Sequence, residues 1–333
     1  MRHIAGPSDA SLAARLPVDK VAQLPDLPPG RERAVKLATY RLGDGQTRVG
    51  SVDTGRGFVV DMPDFGNMLE VIDGGESALA RARDLELQAR TAHKLSDIRL
   101  LAPLIPRSIR DCLAFEEHMK NAANAIAKLT GKDPIPTPTV WYDQPIYYKG
   151  NAFSVIGTDA DVCWPRYSAL MDYELELACV IGRAGKDIPR QEALQHIFGY
   201  TIFNDASARD AQAKELAGQL GPAKGKDFDT GNVLGPWIVT ADELGDPNSL
   251  TMTARVNGEE WSRGTSASMH HRFDAIIEFI SQSETLHPGE LIGSGTVGTG
   301  CGLEHGRFLR DGDVVELEIE RIGVLRNRVV KQA

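Results

Sequence analysis

Two glutamates, Glu174 and Glu176, stand on either side of one leucine in segment 172–178, where acidic and apolar side chains alternate. Alternation with a period of two predicts a β-strand, so both carboxylates lie on one of its faces. Two residues along a strand advance about 6.5–7 Å, which lets both carboxylates reach one point without distortion of the backbone. The other face is apolar, so the acids point either into solvent or into a polar cavity.

Further groups with acid, base or hydrogen-bonding chemistry occur on both sides of this strand. Downstream, Asp205 precedes Arg209 and Gln212 in a predicted helix. Upstream, Asp111 is predicted at the entrance of a helix, with His118 two turns along it. Imidazole titrates near neutral pH and is the side chain most often used as a general base. A lone histidine on a helix more often belongs to the surface or the core, so its neighbours must decide its role.

The elements that position these residues are predicted from periodicity and turn signals. Short strands broken by glycine-rich turns are predicted from residue 34 to residue 60. Helices are predicted over five segments: 68–93, 113–129, 190–198, 208–217 and 272–282. Most of the remaining chain is predicted to form short strands joined by turns.

A proline-flanked segment, residues 101–106, divides the predicted organisation in two. Residues 1–100 are expected to form an N-terminal arm, up to about residue 32, and a small β-rich domain. Residues 101–333 are expected to form a larger domain that carries the acids and the histidine.

Net charge and cysteine spacing indicate which classes of partner and which cellular compartment to expect. The formal net charge is −9 and lysines and arginines form no cluster, which argues against nucleic acid or an anionic membrane and favours a cation or a small molecule. The cysteines are far apart and form no CxxC pair, so no disulfide framework or zinc knuckle is indicated and a reducing cytoplasm is expected. No apolar run approaches the length of a membrane span, and no secretory signal is evident. We expect a soluble, unprocessed protein.

Two segments match nucleotide-binding motifs only in part, and each lacks a feature that the motif requires. Residues 293–298 have the GxGxxG spacing, but the glycines that follow do not favour the helix that a dinucleotide site requires. Gly225 and Lys226 resemble the end of a phosphate-binding loop, yet Leu220 and Asp227 stand where glycine and serine or threonine are needed. Neither segment is therefore expected to bind a nucleotide.

Taken together and in order, five motifs resemble the fumarylacetoacetate hydrolase family over about residues 101–333. They are the segment from Asp111 to His118, the pair Glu174 and Glu176, Asn204–Asp205 with Arg209 and Gln212, Gly225–Lys226, and residues 294–296. The resemblance implies a mainly β, α+β fold with a mixed β-roll catalytic domain and a smaller N-terminal β-rich domain. It also implies a homodimer.

The resemblance implies that four acids are the ligands of one divalent metal: Asp111, Glu174, Glu176 and Asp205. An all-carboxylate set suits a hard cation, with Mg²⁺ first and Mn²⁺ or Ca²⁺ as alternatives, and does not suit zinc. A cation also offers an electrostatic reason for four acids to converge.

The catalytic residues follow from the same resemblance. His118 matches the general base that activates water, and Glu304 is the candidate partner that orients it. Three residues match groups that stabilise the developing negative charge: Arg209, Gln212 and Lys226. An ion pair with Asp210 or another nearby acid is the structural alternative for Arg209. Tyr148 and Thr296 match substrate-contacting positions.

The implied reaction is metal-assisted hydrolysis of a carbon–carbon bond in a 1,3-diketo acid of the fumarylacetoacetate or acylpyruvate type, by water that His118 activates. Other members of the family decarboxylate oxaloacetate, hydrate 2-oxo-pent-4-enoates or isomerise related dienoates, so a decarboxylase or a hydratase is the alternative enzyme. A protein that only binds a cation or a metabolite is the alternative outside enzymes. A base beside the acids argues for catalysis, because a structural cation site needs none.

Overall fold

The computed structural model of the chain describes residues 35–88 and 91–331. The N-terminal arm predicted for residues 1–32 lies outside the described residues. Up to Leu100, the described residues contain five strands and two α-helices: β1 (Lys36–Arg41), β2 (Thr47–Asp53), β3 (Phe58–Asp61), α1 (Met68–Asp73), α2 (Gly75–Gln88), β4 (Ala92–Lys94) and β5 (Arg99–Leu100).

The strands predicted between residues 34 and 60 are therefore confirmed, but the single helix predicted over 68–93 is wrong. The helix breaks at Gly74 and Gly75, where Gly75 has a φ of +54° that a right-handed helix does not allow. The backbone N–H of Gly74 instead closes α1 on the carbonyl of Glu70. The end of the predicted segment belongs to strand β4.

The remainder of the chain is richer in strands than in helices. Its strands are β6 (Ile109–Cys112), β7 (Tyr147–Gly150), β8 (Val155–Ile156), β9 (Asp161–Trp164), β10 (Met171–Asp172), β11 (Leu175–Ile181), β12 (Ile197–Asp205), β13 (Ser207–Ala208), β14 (Asn232–Thr240), β15 (Thr251–Val256), β16 (Glu259–Thr265), β17 (Leu291–Gly293), β18 (Val314–Ile319) and β19 (Gly323–Lys331). Its helices are α3 (Glu116–Thr130), α4 (Thr139–Asp143), α5 (Arg190–Ala193), α6 (Arg209–Ala217), α7 (Ala241–Leu244) and α8 (Phe273–Ser281). The predicted mainly β, α+β fold is confirmed.

The strands form one large mixed sheet and two smaller sheets. The main path of the large sheet runs β4-β3-β2-β1-β14-β12-β11-β17-β6-β7, and a second sheet runs β16-β15-β18-β19-β9. Strand β1 joins the two parts of the chain, because Lys36 pairs with Val239 of β14. The N-terminal strands thus extend the sheet that carries the acids, while the division at residues 101–106 stays a prediction.

Strand β11 is buried along its whole length and packs against different surroundings on its two faces. Leu175 and Leu177 on one face belong to the larger apolar core. Ala178 and Val180 on the other face belong to a second core. The acidic side chain of Glu176 lies on that second face, at the end where the apolar packing stops.

One further prediction of local structure is wrong. Asp111 is not at the entrance of a helix, since it lies in β6, which pairs with β17 on one side and β7 on the other. Helix α3 begins only at Glu116, which puts His118 in its first turn. The helix predicted over 190–198 is confirmed within two residues, because α5 continues as one 3₁₀ turn, Leu194–His196, before β12 begins at Ile197. The helices predicted over 113–129, 208–217 and 272–282 are confirmed within a few residues.

Within the described residues, no helix is both long enough and apolar enough to cross a membrane.

Candidate metal centre and catalytic pair

Four buried acids converge on the part of the large sheet where β12, β11, β17 and β6 follow one another. One oxygen from each acid lies within 4.8 Å of the others: Asp111, Glu174, Glu176 and Asp205. We refer to these four residues as the carboxylate centre. The structure brings together the acids that the sequence singled out, and three of them are on strands of one sheet. Glu174 directly precedes β11 and forms an isolated bridge with Cys301.

A glycine makes room for this convergence. Strand β17 runs between β11 and β6, and its last residue, Gly293, pairs with Ala178 on one side and with Asp111 on the other. A Cβ atom at this position would lie 2.2 Å from Oδ1 of Asp111 and 3.0 Å from Oε2 of Glu176. The two acids therefore occupy space that any other residue would fill.

The glycine-rich loop after β17 supplies hydrogen-bond donors to the centre and no helix follows it, as predicted. The backbone N–H of Gly295 donates to Oε2 of Glu176 at 3.1 Å and to Oδ1 of Asp111 at 3.3 Å. Gly295 has a φ of +77°, a conformation that favours glycine. The hydroxyl of Thr296 donates to Oε1 of Glu176 at 3.5 Å.

Two longer side chains also reach the centre, those of Lys226 and Tyr148. Lys226 places Nζ 2.5 Å from Oε2 of Glu174 and 2.5 Å from Oδ2 of Asp205. The Tyr148 hydroxyl donates to Oδ2 of Asp205 at 2.6 Å. Burial and the negative charges of Asp205 and Asp111 raise the pKa of Tyr148 well above its usual range, so it stays a donor at neutral pH.

Three of the four acids resist ionisation. Burial is the main cause that raises the pKa values of Asp111, Glu176 and Asp205, and the charge of neighbouring carboxylates adds to it. Oδ1 of Asp205 is buried and has no hydrogen-bond partner among the described residues. A buried, unpartnered carboxylate oxygen beside three other acids fits a cation.

Glu174 behaves in the opposite way because cations surround it. Burial opposes its ionisation, but the charges of Lys226, Arg209 and His118 outweigh that effect and hold its pKa below the usual range. An all-oxygen donor set of this kind suits Mg²⁺, Mn²⁺ or Ca²⁺.

A histidine and a glutamate form a pair beside the centre. Nδ1 of His118 lies 2.8 Å from Oε1 of Glu304, which is in the short turn Leu303–His305. The other oxygen of Glu304 accepts from the side chain of Asn121 at 2.9 Å and from the N–H of Thr299 at 2.8 Å. Burial opposes ionisation of Glu304, but these bonds and the charge of His118 lower its pKa. Glu304 therefore holds a negative charge that fixes the ring, and Nε2 is the nitrogen left to accept a proton.

Arg209 contacts the centre through Glu174. Its Nη1 lies 2.8 Å from Oε1 of Glu174 and donates to the side-chain oxygen of Gln212 at 3.0 Å. Its Nε donates to Asp172 at 2.8 Å. The sequence left open an ion pair of Arg209 with Asp210 or another nearby acid, and the structure shows pairs with two nearby acids, Glu174 and Asp172. Gln212 thus contacts Arg209, which in turn contacts the centre.

Asp172 is a residue of the site that the sequence reasoning missed. It is fully buried and accepts hydrogen bonds from Arg209 and from the backbone N–H groups of Gly302 and Leu303 at 2.8 and 3.0 Å. It thereby joins Arg209 to the turn that carries Glu304. The signal was present, because Asp172 shares the even face of the alternating segment with Glu174.

A family model for the C-terminal domain of fumarylacetoacetate (FAA) hydrolase matches residues 107–330 of the chain. The mitochondrial oxaloacetate tautomerase fahd2 of Xenopus laevis is 32% identical over 324 residues, which cover 95% of this chain and 94% of that protein.

Solved structures of two enzymes have a fold similar to that of this chain. A fumarylacetoacetate hydrolase from Exiguobacterium antarcticum superposes with a TM-score of 0.74 at 30% identity, over 90% of this chain and 100% of that one. A 2-hydroxyhepta-2,4-diene-1,7-dioate isomerase from Mycobacterium marinum superposes with a TM-score of 0.67 at 27% identity, over 90% of this chain and 99% of that one. These relatives carry out different reactions on one scaffold, so the fold alone does not select among them.

Proposed function

The chain belongs to the fumarylacetoacetate hydrolase family of enzymes, and from this premise we propose that it is a divalent-metal-dependent hydrolase that cleaves a carbon–carbon bond in a 1,3-diketo acid. The observation that carries the proposal is the pairing of His118 with the buried Glu304 beside the carboxylate centre. A cation site alone would need no oriented base. An acylpyruvate or fumarylacetoacetate-type compound is the proposed substrate class.

The carboxylate centre is the proposed metal site, and its four acids are the proposed ligands. Mg²⁺ is the proposed ion, and Mn²⁺ and Ca²⁺ suit the same oxygen ligands. When bound, the ion supplies a fixed positive charge that orients the two carbonyl oxygens of the substrate and stabilises negative charge on them.

His118 has the proposed role of general base. Its Nδ1 is held by Glu304, so Nε2 accepts a proton from water as the water attacks the substrate carbonyl. The negative charge of Glu304 stabilises the imidazolium that forms. Protonated His118 then returns the proton to the departing carbon, which releases a carboxylic acid and a ketone or keto acid.

Cationic and hydroxyl donors have the proposed role of stabilising and positioning the substrate. Lys226 and Arg209 already pair with Glu174, so their positive charges are fixed before substrate arrives. Gln212 holds the guanidinium of Arg209 in place. Tyr148 and Thr296 present hydroxyls at the edge of the centre and are the proposed substrate contacts.

Keto–enol tautomerisation of a 2-oxo diacid is the second candidate. It is favoured by one observation, the 32% identity to an oxaloacetate tautomerase over nearly the whole chain. Such a reaction would use His118 to move a proton between carbon and oxygen and would need no water. Decarboxylation and hydration stay predictions of the family resemblance.

The test is a substrate panel assayed in H₂¹⁸O with and without Mg²⁺: an acylpyruvate, fumarylacetoacetate and oxaloacetate. Hydrolysis predicts magnesium-dependent loss of the enol absorbance and ¹⁸O in the carboxylic acid product. Tautomerisation predicts faster equilibration of the enol absorbance with the carbon skeleton intact. Absence of cleavage for every diketo acid, together with rapid equilibration of oxaloacetate, would replace the first candidate by the second.

The predicted homodimer and cytoplasmic location also belong to this proposal. The family resemblance supports the dimer, and the four free cysteines support a reducing compartment. Light scattering on the purified protein and fractionation of the producing cells test the two statements separately.

A further inference from the structure

Cys301 lies against the catalytic pair, although the proposed reaction gives its thiol no task. Its side chain is fully buried, and Sγ donates to Oε1 of Glu304 at 3.5 Å. Ligand atoms of His118, Cys301 and Glu304 all lie within 4.8 Å of one another. We call these three residues the histidine cluster. It shares no residue with the carboxylate centre.

We propose that the histidine cluster is a second metal site, selective for zinc, and that zinc bound there inactivates the catalytic base. Binding at this site follows from the donor atoms alone. The inactivation rests on the proposed function, because it requires His118 to act as a base.

The two sets of donors prefer different metals. Thiolate and imidazole are borderline-soft ligands that favour Zn²⁺, whereas four carboxylates favour Mg²⁺ or Mn²⁺. Three protein ligands with a water in the fourth position is a common zinc arrangement. The thiol of Cys301 is the donor that makes the difference, because a serine would donate the same hydrogen bond to Glu304 without binding zinc well.

The distances are close to those that zinc requires. In a tetrahedral site with the usual bond lengths, sulfur and oxygen ligands lie about 3.6 Å apart, and nitrogen and oxygen ligands about 3.3 Å apart. Here Sγ of Cys301 lies 3.5 Å from Oε1 of Glu304, and Nδ1 of His118 lies 2.8 Å from the same oxygen. Replacing the hydrogen-bond proton by zinc therefore requires Nδ1 and Oε1 to separate by about half an ångström.

The inactivation has a defined proton balance. Zinc takes the lone pair of Nδ1, so the proton of the neutral imidazole of His118 moves to Nε2 through solvent. Nε2 then carries a hydrogen and accepts none from water. The thiol of Cys301 loses its proton to solvent as the Zn–S bond forms. No electron transfer takes place, and chelation of the zinc reverses each step.

Cobalt(II) substitution tests the site directly, because a thiolate bound to cobalt gives an intense near-ultraviolet charge-transfer band that oxygen ligands do not. We expect the band in the wild-type protein and its loss in Cys301→Ser. Cys163→Ser is the matched control, since Cys163 is partly exposed on β9 and is the thiol best placed for adventitious binding. Retention of the band in Cys301→Ser, or its loss in Cys163→Ser alone, would overturn the proposal.

A second measurement keeps the proposal testable if Cys301→Ser fails to fold. Zinc-edge X-ray absorption of the wild-type protein, with Mg²⁺ in excess, should show one sulfur neighbour and at least one imidazole per zinc. A shell of oxygen atoms only would overturn the site. In a folded Cys301→Ser protein, zinc should bind at least about tenfold more weakly.

Activity measurements then distinguish failure of the zinc site from failure of the proposed function. Zinc should inhibit the magnesium-loaded enzyme, and Cys301→Ser should require at least about tenfold more zinc for the same fractional inhibition. If the protein shows a cobalt–thiolate band but cleaves no diketo acid, the site stands and the proposed function fails. If it cleaves diketo acids and shows no band, the function stands and the site fails.

Discussion

The carboxylate centre and the histidine cluster lie next to each other, but they are built from different kinds of structure. Strands β6, β11 and β12 hold three acids of the centre in a single sheet, and β17 fills the space between two of those strands. The cluster comes from the first turn of α3 and a short turn far along the chain. The centre is thus positioned by backbone pairing, whereas the cluster is positioned by side-chain hydrogen bonds that converge on Glu304.

Charge separates the two regions further. In the centre, burial and mutual repulsion raise the pKa of Glu176 and Asp205. In the cluster, hydrogen bonds outweigh burial and lower the pKa of Glu304. In the centre, Lys226 and Arg209 offset only part of the negative charge of the four acids, whereas in the cluster hydrogen bonds already stabilise the ionised Glu304. The proposed roles in catalysis differ accordingly, since the centre binds a cation and His118 of the cluster holds a proton. The predictions below test that difference.

Removal of one negative charge from the centre should have the largest effect. Glu176→Gln keeps the shape of the side chain, but removes a proposed metal ligand. We expect magnesium-dependent turnover to fall by about a thousandfold or more, since a bound ion contributes several kcal/mol to catalysis. Calorimetry should show weakened Mg²⁺ binding, and circular dichroism should show an unchanged fold. Glu318→Gln, on β18 of the other sheet, is the matched control. Full turnover in Glu176→Gln would contradict the assignment of the centre.

Removal of the base should lower turnover without weakening metal binding, which distinguishes the cluster from the centre. His118→Asn retains an amide that reaches toward Glu304, but it cannot accept a proton near neutral pH. We expect kcat to fall by about 10²–10⁴ with Mg²⁺ affinity retained, because general bases contribute about that factor. Steady-state kinetics and magnesium titration of the same preparation provide the two readouts. A loss of magnesium binding equal to that in Glu176→Gln would show that the two regions do not act separately.

Neutralising Glu304 should give a smaller loss of activity with a distinct pH signature. Glu304→Gln puts an amide where Asn121 and Thr299 donate, so we expect kcat to fall about tenfold to a hundredfold and stability to fall by about 1–3 kcal/mol. The lowered pKa of Glu304 means that its ionised form stabilises the fold above the usual carboxyl pKa of about 4.3. The stability difference from wild type should therefore be present at neutral pH and shrink as the pH falls below that range.

Denaturant unfolding of both proteins at several pH values measures this difference. A gap that widened as the pH fell would contradict the assigned ionisation of Glu304. A KM effect without a kcat effect would assign Glu304 to substrate binding and not to positioning of His118.

Proton release on metal binding should be the smallest effect. Asp111, Glu176 and Asp205 have raised pKa values, so the metal-free centre retains protons that a cation must displace. For each proton displaced, Mg²⁺ affinity should rise by up to about tenfold per pH unit below those pKa values. Calorimetry in buffers of different ionisation enthalpy counts the protons. Affinity that did not change between pH 6 and 8 would mean that the metal-free acids are already ionised.

Strand periodicity is a local signal, and it located Glu174 and Glu176, whereas the family resemblance pointed to Asp111 and Asp205. The alternation around Glu174 and Glu176 needs no knowledge of the rest of the chain. The prediction for Asp111 was wrong in structure because β6 is short, mixes apolar and charged residues, and is stabilised by pairing with the distant β17. The resemblance pointed to Glu304, and the structure places it in contact with His118.

Asp172 illustrates what a local signal cannot supply. Its acceptor role depends on backbone N–H groups that return 130 residues later in the chain. No periodicity or spacing in the sequence predicts a contact between segments so far apart. The link that Asp172 forms between Arg209 and the Glu304 turn is therefore visible only in the structure. The helix break at Gly74 and Gly75 is a different case, because the glycine pair is a local signal that the helical composition around it outweighed.

Gly293 has a consequence for how this site can be inherited and recognised. A glycine codon becomes an alanine codon by one base change, and the added methyl group would lie 2.2 Å from an oxygen of Asp111. A lineage can therefore lose the cation without losing any of the four acids. A chain that kept every acid but had alanine here would still match a sequence search for the four ligands. Its alanine methyl group would nevertheless occupy the space that the carboxylates of Asp111 and Glu176 need.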